Sequence, residues 1–410
     1  MKLTALCGLV GLITTSLAPL ALAAALLEND QVPPELVVPD QYIVAYKADV
    51  VPSKRKDHED DFDSRARKGN MLGLLGRIDI PGLQGYVIQM PSSEVKALSE
   101  CDLIDYIEKD TLITTAAVAV DPALARRSTT RQSDSPWGLA RISHLKKGQK
   151  NYNYDSSAGK GVRVYVLDTG IRTSHEEFEG RAKWGANFVE GTSDRDETGH
   201  GTHVAGTIAG KTYGVAKKAT VVAVKILDEN GTSSVSRALS GINWVISDTK
   251  KRGMEKKSII NMSLAGERST SFNAGVKAAT DAGITVVVAA GNEGANATHY
   301  SPGSASSAIT VAAIDDQDQR ASFSNWGKSV DIFAPGVTIL SASHSSDSGS
   351  EYMSGTSMAT PHVAGLAAYF MITENIRGST AVTKHIRSVA IKGVGDREGS
   401  PNRIAYNGNE

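Results

Sequence analysis

Cysteine is nearly absent from this chain of 410 residues, which contains only Cys7 and Cys101. The chain after Cys101 cannot form an internal disulfide, which excludes the small secreted scaffolds that depend on several disulfides for stability. A chain of this length can bury a large core without such cross-links. Aromatic residues are also scarce, at 6%, whereas the 39 glycines favour tight turns and close backbone contacts.

Neither sign of charge is in excess, because 44 lysines and arginines accompany 45 acidic residues. This balance argues against nucleic acid or an anionic membrane as a partner. One long apolar run exists, over residues 3–25, and it follows Lys2 and contains Pro19. Its charged start and the small residues 21–23 predict a signal peptide over residues 1–23 rather than a membrane anchor. We therefore expect a secreted protein, with vacuolar delivery as the alternative.

Residues 24–127 have the composition of a small separate unit that ends in a polar link near 126–131. Strand-like runs and helix-like stretches alternate within it, which predicts an α+β domain of about seventy residues. The predicted strands are 42–46, 83–90 and 104–108, and the predicted helical stretches are 57–68 and 94–99.

From Pro136 onward, apolar strands alternate with helical segments. The predicted strands are 162–167, 220–227, 258–262, 285–290, 309–314 and 330–334, and the predicted helices are 202–209, 236–252, 272–282 and 363–371. Both faces of these strands are apolar, so we predict a parallel sheet covered by helices on both faces, an α/β fold. In such sheets, binding sites form at the carboxyl ends of the strands.

Polar side chains stand at three of these strand ends and helix starts. Asp168 ends the first strand, His200 lies between two glycines at the start of an apolar helix, and Asn292 follows another strand. Taken singly, each has a simpler interpretation as a helix cap, a metal ligand or a turn former. The pair His200 and His203 does not fit a zinc-binding helix, because the glutamate of the His-Glu-x-x-His pattern is missing.

Ser357 precedes the apolar helix that runs from Val363 to Met371. Pro361 fits the first turn of such a helix, which would place Ser357 at the N-terminus. There the backbone N–H groups and the helix dipole favour a developing negative charge. A nucleophilic serine and a simple N-cap serine are equally compatible with this stretch alone.

The four polar residues together predict nucleophilic catalysis. Ser357 would attack a carbonyl carbon, His200 would take its proton, and Asp168 would hold the imidazole in the correct tautomer. Asn292 and the backbone N–H of Ser357 would donate to the oxyanion that forms in the transition state.

Segments 168–170, 199–203 and 355–362 resemble the three signature motifs of subtilisin-like serine proteases, peptidase family S8. The order Asp, His, Ser is also that of subtilisin. Other segments are similar to the proteinase K branch and its fungal oryzin-type alkaline proteases, namely 136–139, 176–181, 214–218, 400–402 and 405–409. The small unit before residue 128 resembles the I9-type inhibitory propeptide of this family.

The resemblance implies a subtilisin-like three-layer fold and a secreted serine endopeptidase made as an autoinhibited zymogen. Residues 24–127 would be the propeptide, with its inhibitor unit at about 41–115, and 128–410 the peptidase domain, released by cleavage near Arg127–Ser128. The expected partners are protein or peptide substrates and the propeptide itself. The enzyme is expected to be a monomer that needs no cofactor for catalysis.

By the same resemblance, two edge segments and one apolar pocket bind the substrate. They comprise Gly231, Thr232, Ser233, Ser263, Leu264, Ala265 and Gly266 at the edges, and Ala289, Ala290 and Gly291 at the pocket. Strand addition at the edges reads peptide N–H and C=O groups, which implies broad specificity. The apolar pocket implies a hydrophobic or aromatic residue before the scissile bond.

The calcium site of the family corresponds to the carboxylate of Asp331 and the carbonyls of Ser306 and Ala308. Serine stands at 306 where the family has proline, but a carbonyl ligand survives that change, so structural calcium is one interpretation. A solvated acid at the end of a strand is the other.

Three glycosylation sequons occur, at Asn230, Asn261 and Asn296. Asn261 lies in a predicted buried strand, so Asn230 and Asn296 are the candidate sites.

Two other functions are alternatives. The first is a catalytically inactive subtilisin-like binding protein, which the intact Asp168, His200, Asn292 and Ser357 argue against. The second is an esterase of the α/β-hydrolase type. Its Gly-x-Ser-x-Gly motif is missing around Ser357, and its acid would fall between the serine and the histidine in the chain.

Overall fold

The computed structural model describes residues 25–118 and 134–409. The first of these segments forms an antiparallel sheet with strand order β3-β4-β2-β5, and a short β1 runs parallel to β5. Its elements are β1 (Leu26–Leu27), β2 (Val37–Tyr46), α1 (Pro52–Lys68), β3 (Gly73–Ile80), β4 (Leu83–Gln89), α2 (Val95–Ser99) and β5 (Ile104–Thr115). This is the α+β arrangement that the alternating pattern predicts.

Side chains alternate between the two faces of this small sheet. Tyr42 and Val44 of β2 pack with α1 and α2 in a core of their own. Ile43 and Ala45, on the other face, join an apolar cluster supplied mainly by residues 222–308. The small unit is thus attached to the rest of the chain through one whole face of its sheet.

The second segment is organised around seven parallel strands in the order β15-β14-β12-β10-β6-β8-β7. Its strands are β6 (Arg163–Asp168), β7 (Ala182–Asn187), β8 (Thr220–Lys225), β9 (Thr232–Ser234), β10 (Ser258–Met262), β11 (Leu264–Glu267), β12 (Thr285–Ala289), β13 (Tyr300–Ser301), β14 (Ile309–Ile314), β15 (Ile332–Pro335), β16 (Ile339–Ala342) and β17 (Ser350–Met353). Its helices are α3 (Trp137–Arg141), α4 (His200–Ala209), α5 (Val235–Arg252), α6 (Thr270–Asp281), α7 (Thr356–Thr373) and α8 (Ser379–Val389). The predicted parallel sheet is therefore confirmed.

Helices cover both faces of this sheet, as its doubly apolar strands require. Val164 and Val166 of β6 pack in the cluster that contains α4, α7 and α8. Tyr165 and Leu167 of the same strand pack in the cluster that contains α5 and α6. The alternation within one strand thus links the two helical layers.

Strand β5 joins the two parts of the molecule. It is predicted to end at residue 108 but continues to Thr115. Its first part pairs with β2, and its last part pairs antiparallel with both β9 and β11. The extension was missed because the strands that hold it lie more than a hundred residues later in the chain.

The start of α7 also differs from the prediction. The helix begins at Thr356, so Pro361 is its sixth residue rather than part of its first turn. All residues from Thr356 to Met371 are buried, as expected for a helix without a polar face. Within the described segments, no helix has both the length and the apolar content needed to cross a membrane.

Candidate active site

Asp168 and His200 meet at the carboxyl end of the parallel sheet. Asp168 is the last residue of β6, His200 is the first residue of α4, and both are buried. His200 Nδ1 lies 2.7 Å from Asp168 Oδ1, which also accepts a hydrogen bond from the backbone N–H of Thr169. The carboxylate thus holds a proton on Nδ1 and leaves Nε2 to act as a base.

The charge environment of His200 favours its protonated form. Burial alone would lower the pKa of His200, but the carboxylate of Asp168, assisted by Asp196, outweighs burial and raises the pKa above 6.5. An imidazolium formed during a reaction is therefore stabilised where it forms. His203, one turn further, contacts the carbonyl of Ile339 at 2.9 Å and belongs to the core.

A second buried acid, Asp196, fixes the loop that carries His200. Its Oδ1 accepts from the hydroxyl of Thr169 and the N–H of Gly199, and its Oδ2 accepts from the N–H and hydroxyl of Thr202. The buried Lys225 donates to the carbonyl of Thr169 at 2.7 Å. These positioning residues were not predicted from the sequence. Asp196 could have been found from the sequence, because it lies three residues before Gly199, which directly precedes α4, and an acid at that distance can accept from the backbone there.

Ser357 is the second residue of α7 and is buried. Its hydroxyl donates to the carbonyl of Ser263 at 2.8 Å. Within the described residues, His200 Nε2 has no hydrogen-bond partner, so the bond through which Ser357 would pass its proton to His200 is not formed in this state. Rotation about χ1 of Ser357 would release the hydroxyl from Ser263.

Pro361 explains why Ser263 contacts this helix. A proline has no N–H, so the carbonyl of Ser357, four residues earlier, loses its helical partner. The hydroxyl of Ser263 donates to that carbonyl at 2.9 Å, and Asn261 Nδ2 donates to the same hydroxyl at 3.0 Å. The side chain of Ser357 does not cap the helix, because its hydroxyl acts as a donor to another loop.

Asn292 is oriented by Thr356. Its Oδ1 accepts from both the N–H and the hydroxyl of Thr356, each at 2.9 Å. These two bonds assign the carbonyl side of the amide and leave Nδ2 buried without a partner among the described residues. A buried amide donor without a partner is costly unless it serves a ligand or a transition state. The role of Thr356 was not predicted from the sequence.

The last part of β5 occupies the groove between β9 and β11. In this register, Ile113 lies opposite Ser233 on one side and Gly266 on the other. The N–H of Thr115 donates to the carbonyl of Gly231 at 3.0 Å. The predicted edge segments thus flank an extended stretch of the chain itself, in the manner of an added strand.

Beyond β5, the chain passes directly over Ser357. The N–H of Ser357 donates to the carbonyl of Ala116 at 3.0 Å, and the N–H of Ala116 donates to the carbonyl of Ser263 at 3.3 Å. The N–H of Val118 continues with the carbonyl of Ser354 at 2.8 Å. Gly355 is required here, because its φ is +148° and a Cβ would lie 2.3 Å from the carbonyl oxygen of Ala116.

The side chain of Ala116 forms a small apolar cluster with Ala265 and Ala289. Ala290 and Gly291 continue from Ala289, and the N–H of Gly291 donates to the hydroxyl of Thr356 at 3.3 Å. The predicted apolar pocket therefore adjoins the serine, and an alanine of the chain itself occupies it.

Comparison with known proteins agrees with this arrangement. The model of the subtilase family, peptidase S8, matches residues 159–403. The chain belongs to the subtilase family. Subtilisin-like protease 2 of Pseudogymnoascus destructans is 46% identical to this subtilase, over 91% of this chain and 90% of that protein. The match confirms the family that the three sequence motifs predict.

Other relatives carry more specific names. A cuticle-degrading serine protease of Arthrobotrys oligospora is 44% identical, over 90% of this chain and 91% of that protein. Alkaline protease 1 of Aspergillus clavatus is 42% identical, over 97% and 98% of the two chains. A crystal structure of a cold-adapted subtilisin-like serine proteinase matches with a TM-score of 0.64 and 41% identity, over 68% of this chain and all of that one. This subtilase is therefore a serine endopeptidase with a subtilisin-like α/β fold, and proteins are its substrate class.

The residues predicted to bind calcium do not fit that ion. Both carboxylate oxygens of Asp331 are engaged, one by the guanidinium of Arg387 and the other by the N–H of Thr310. Ser306 and Ala308 line an adjacent cavity that also carries Arg387. Among the described residues, no three His, Cys, Asp or Glu side chains are grouped so that they could hold a metal.

The three sequons differ in exposure. Asn230 is exposed in the turn before β9, and Asn261 is fully buried in β10. Asn296 is half-buried, and its Oδ1 accepts from the N–H and hydroxyl of Thr298. Asn261 is therefore inaccessible in the folded protein.

Proposed function

We propose that this subtilase is a secreted endopeptidase of broad specificity, made as a zymogen whose own propeptide fills the substrate cleft. The contact between the N–H of Ser357 and the carbonyl of Ala116 carries the proposal. A carbonyl at that N–H occupies the position where an oxyanion would develop, 3.0 Å from one of its predicted donors. No external substrate can enter while residues 112–118 lie there.

Two buried carboxylates of the small unit support its role as a tightly attached inhibitor. Glu108 accepts from the N–H groups of Thr270 and Ser271 at the start of α6. Asp110 accepts from the N–H and hydroxyl of Ser236 at the start of α5. Acids at helix N-termini are stabilised by the free N–H groups and the helix dipole. Burial nevertheless raises the pKa of Glu108 and of Asp110.

In the reaction that we propose, Ser357 Oγ attacks the carbonyl carbon of the scissile peptide bond while His200 Nε2 takes its proton. The N–H of Ser357 and the amide of Asn292 donate to the resulting oxyanion. His200 then protonates the leaving amine, the C–N bond breaks, and an acyl ester remains on Ser357. A water molecule that His200 deprotonates hydrolyses that ester and frees the serine.

The pocket next to Ser357 supports a preference for hydrophobic or aromatic residues before the scissile bond. Ala265 and Ala289 supply its apolar surface around Ala116. Peptide anilides that differ only at that residue test this preference. Phe and Leu peptides should be cleaved on the order of a hundred-fold faster than the Glu peptide, because burying an unpaired carboxylate costs several kcal/mol. A Glu peptide cleaved as fast as the Phe peptide would contradict the preference.

From the same contacts we propose which bond is cut first. Ala116 presents its carbonyl to Ser357, so the first self-cleavage would break the bond between Ala116 and Ala117. The cut predicted near Arg127–Ser128 lies outside the described residues. We propose it as a second step that removes residues 117–127 and leaves the peptidase domain 128–410.

Intact mass measured during maturation of the precursor tests this order. A species that begins at Ala117 should appear before the one that begins at Ser128. Ala116→Asp should slow the first cut, because its carboxylate would enter an apolar pocket, whereas Arg127→Ala should leave that cut unchanged. The order is wrong if Arg127→Ala blocks all processing and no species ever begins at Ala117.

Secretion is proposed from the signal-like residues 1–23, which lie outside the described residues. The name of the Arthrobotrys oligospora relative, a cuticle-degrading protease, agrees with an extracellular target. We propose glycans at the exposed Asn230 and at Asn296, and a monomeric enzyme that needs no cofactor for catalysis. Intact mass of the protein from the culture supernatant, before and after deglycosylation, checks the location and the glycans together.

A further inference from the structure

Arg387 is placed where a structural cation would be expected. Asp331 directly precedes β15, and its Oδ1 lies 2.6 Å from a guanidinium nitrogen of Arg387. The N–H of Thr310 in β14 donates to its Oδ2 at 2.9 Å. Both carboxylate oxygens therefore have charged or polar partners from the chain itself.

The negative charge of Asp331 is already neutralised by positive side chains nearby. Arg387 and Lys384, one turn apart on α8, line a surface cavity of about 420 Å³ together with Ser306 and Ala308. Asp281 also lines this cavity, but its carboxylate is paired with Lys277. A divalent cation entering this cavity would meet the positive charges of Arg387 and Lys384, and the carboxylates of Asp281 and Asp331 are already paired with Lys277 and Arg387.

Calcium requires the opposite arrangement. It takes six to eight oxygen ligands, usually with carboxylates among them. Asp331 could offer an oxygen only by giving up its bond to Arg387. The carbonyls of Ser306 and Ala308 are neutral and cannot compensate for two nearby cationic side chains.

We propose that Arg387 is a built-in substitute for structural calcium at this position. Its guanidinium ties the end of α8 to the start of β15 through the same carboxylate that a metal bridging Asp331 and the 306–308 loop would use. A guanidinium stays charged at all relevant pH values and is not lost on dilution or chelation. The stability of this chain should therefore not depend on calcium.

Thermal unfolding of the full chain carrying Ser357→Ala tests the proposal without self-digestion. The melting temperature of this parent should be the same in EDTA and in millimolar CaCl2. Adding Arg387→Ala should lower it in EDTA by roughly 2–5 °C, and calcium should restore part of the loss because Asp331 is then free. Lys384→Ala is the matched control, since Lys384 lines the same cavity without pairing to Asp331, and its melting temperature should not respond to calcium.

Three results would overturn the proposal. The first is a parent protein whose melting temperature rises by several degrees in calcium and loses that response with Asp331→Asn. The second is an Arg387→Ala variant as stable in EDTA as Lys384→Ala. The third is an Arg387→Ala variant that is destabilised but indifferent to calcium, which would reduce Arg387 to an ordinary ion pair. If Arg387→Ala does not fold, calorimetric titration of the parent with CaCl2 decides, and heat from specific binding would refute the proposal.

Discussion

Replacing Ser357 by alanine is expected to abolish proteolysis and to leave the precursor uncut. Turnover should fall on the order of a million-fold, the magnitude known for the equivalent change in subtilisin itself. The fold should survive, because the hydroxyl makes one hydrogen bond, to the carbonyl of Ser263, whereas the N–H that holds Ala116 is retained. The variant should therefore keep residues 112–118 in the cleft and remain one chain.

Casein hydrolysis and intact mass measure the two consequences separately. Ser346→Ala is the matched control, because Ser346 is exposed and lies outside the groove. The unfolding temperature of the uncut Ser357→Ala variant should agree with that of the inhibited Ser346→Ala control. Such agreement would exclude misfolding as the cause of lost activity. Casein turnover by Ser357→Ala within ten-fold of the wild type would reject Ser357 as the nucleophile. A variant precursor that is still cut at Ala116 when purified alone would reject self-cleavage.

The sequence predicts the scaffold of this site because its signals are local. The inner strands of the large sheet are predominantly apolar, and each of Asp168, His200 and Asn292 stands at the end of a strand or the start of a helix. The edge strand β7 was not predicted, because Lys183, Gly185 and Asn187 interrupt its apolar pattern. Strand ends of one parallel sheet lie at one edge, so the residues had to come close together. The prediction that α7 is buried on all sides follows from its composition alone, because the helix has no polar face.

The contacts that complete the site could not be predicted because they depend on distant parts of the chain. The hydroxyl of Ser263 donates to the carbonyl of Ser357, 94 residues later, in place of the missing N–H of Pro361. The last part of β5 is a strand because it pairs with β9 and β11. Its own residues do not show the apolar alternation that would predict a strand. Arg387 pairs with Asp331, which lies 56 residues earlier in the chain. The helix that carries Arg387, α8, was not predicted, because its buried apolar stripe consists only of Val382 and Ile386.

Replacing Asn292 by alanine is expected to lower kcat by about a hundred- to a thousand-fold, as removal of the oxyanion-hole asparagine does in subtilisin. The structure supplies the reason for expecting that effect here. Thr356 holds the carbonyl side of the amide, so Nδ2 is buried and has no partner among the described residues. We infer that this donor finds its partner when negative charge develops on the substrate oxygen. KM should change little, because the interaction arises in the transition state.

Thr356→Val separates orientation from donation. It removes the hydroxyl that donates to Asn292 Oδ1 and accepts a longer bond from the N–H of Gly291, but it keeps the backbone N–H bond to Asn292 Oδ1. The expected loss in kcat is about three- to ten-fold, the value of one neutral hydrogen bond. In the Asn292→Ala background the same change should cost almost nothing, because the amide that Thr356 orients is gone.

Steady-state kinetics on one peptide anilide, for the two single variants and the double variant, measure this coupling. Losses that simply multiply would mean that Thr356 supports the helix N-terminus rather than Asn292. A kcat for Asn292→Ala within a factor of three of the wild type would mean that the amide donates nothing to the oxyanion. The N–H of Ser357, already 3.0 Å from the carbonyl of Ala116, would then be the donor on which stabilisation of the oxyanion depends.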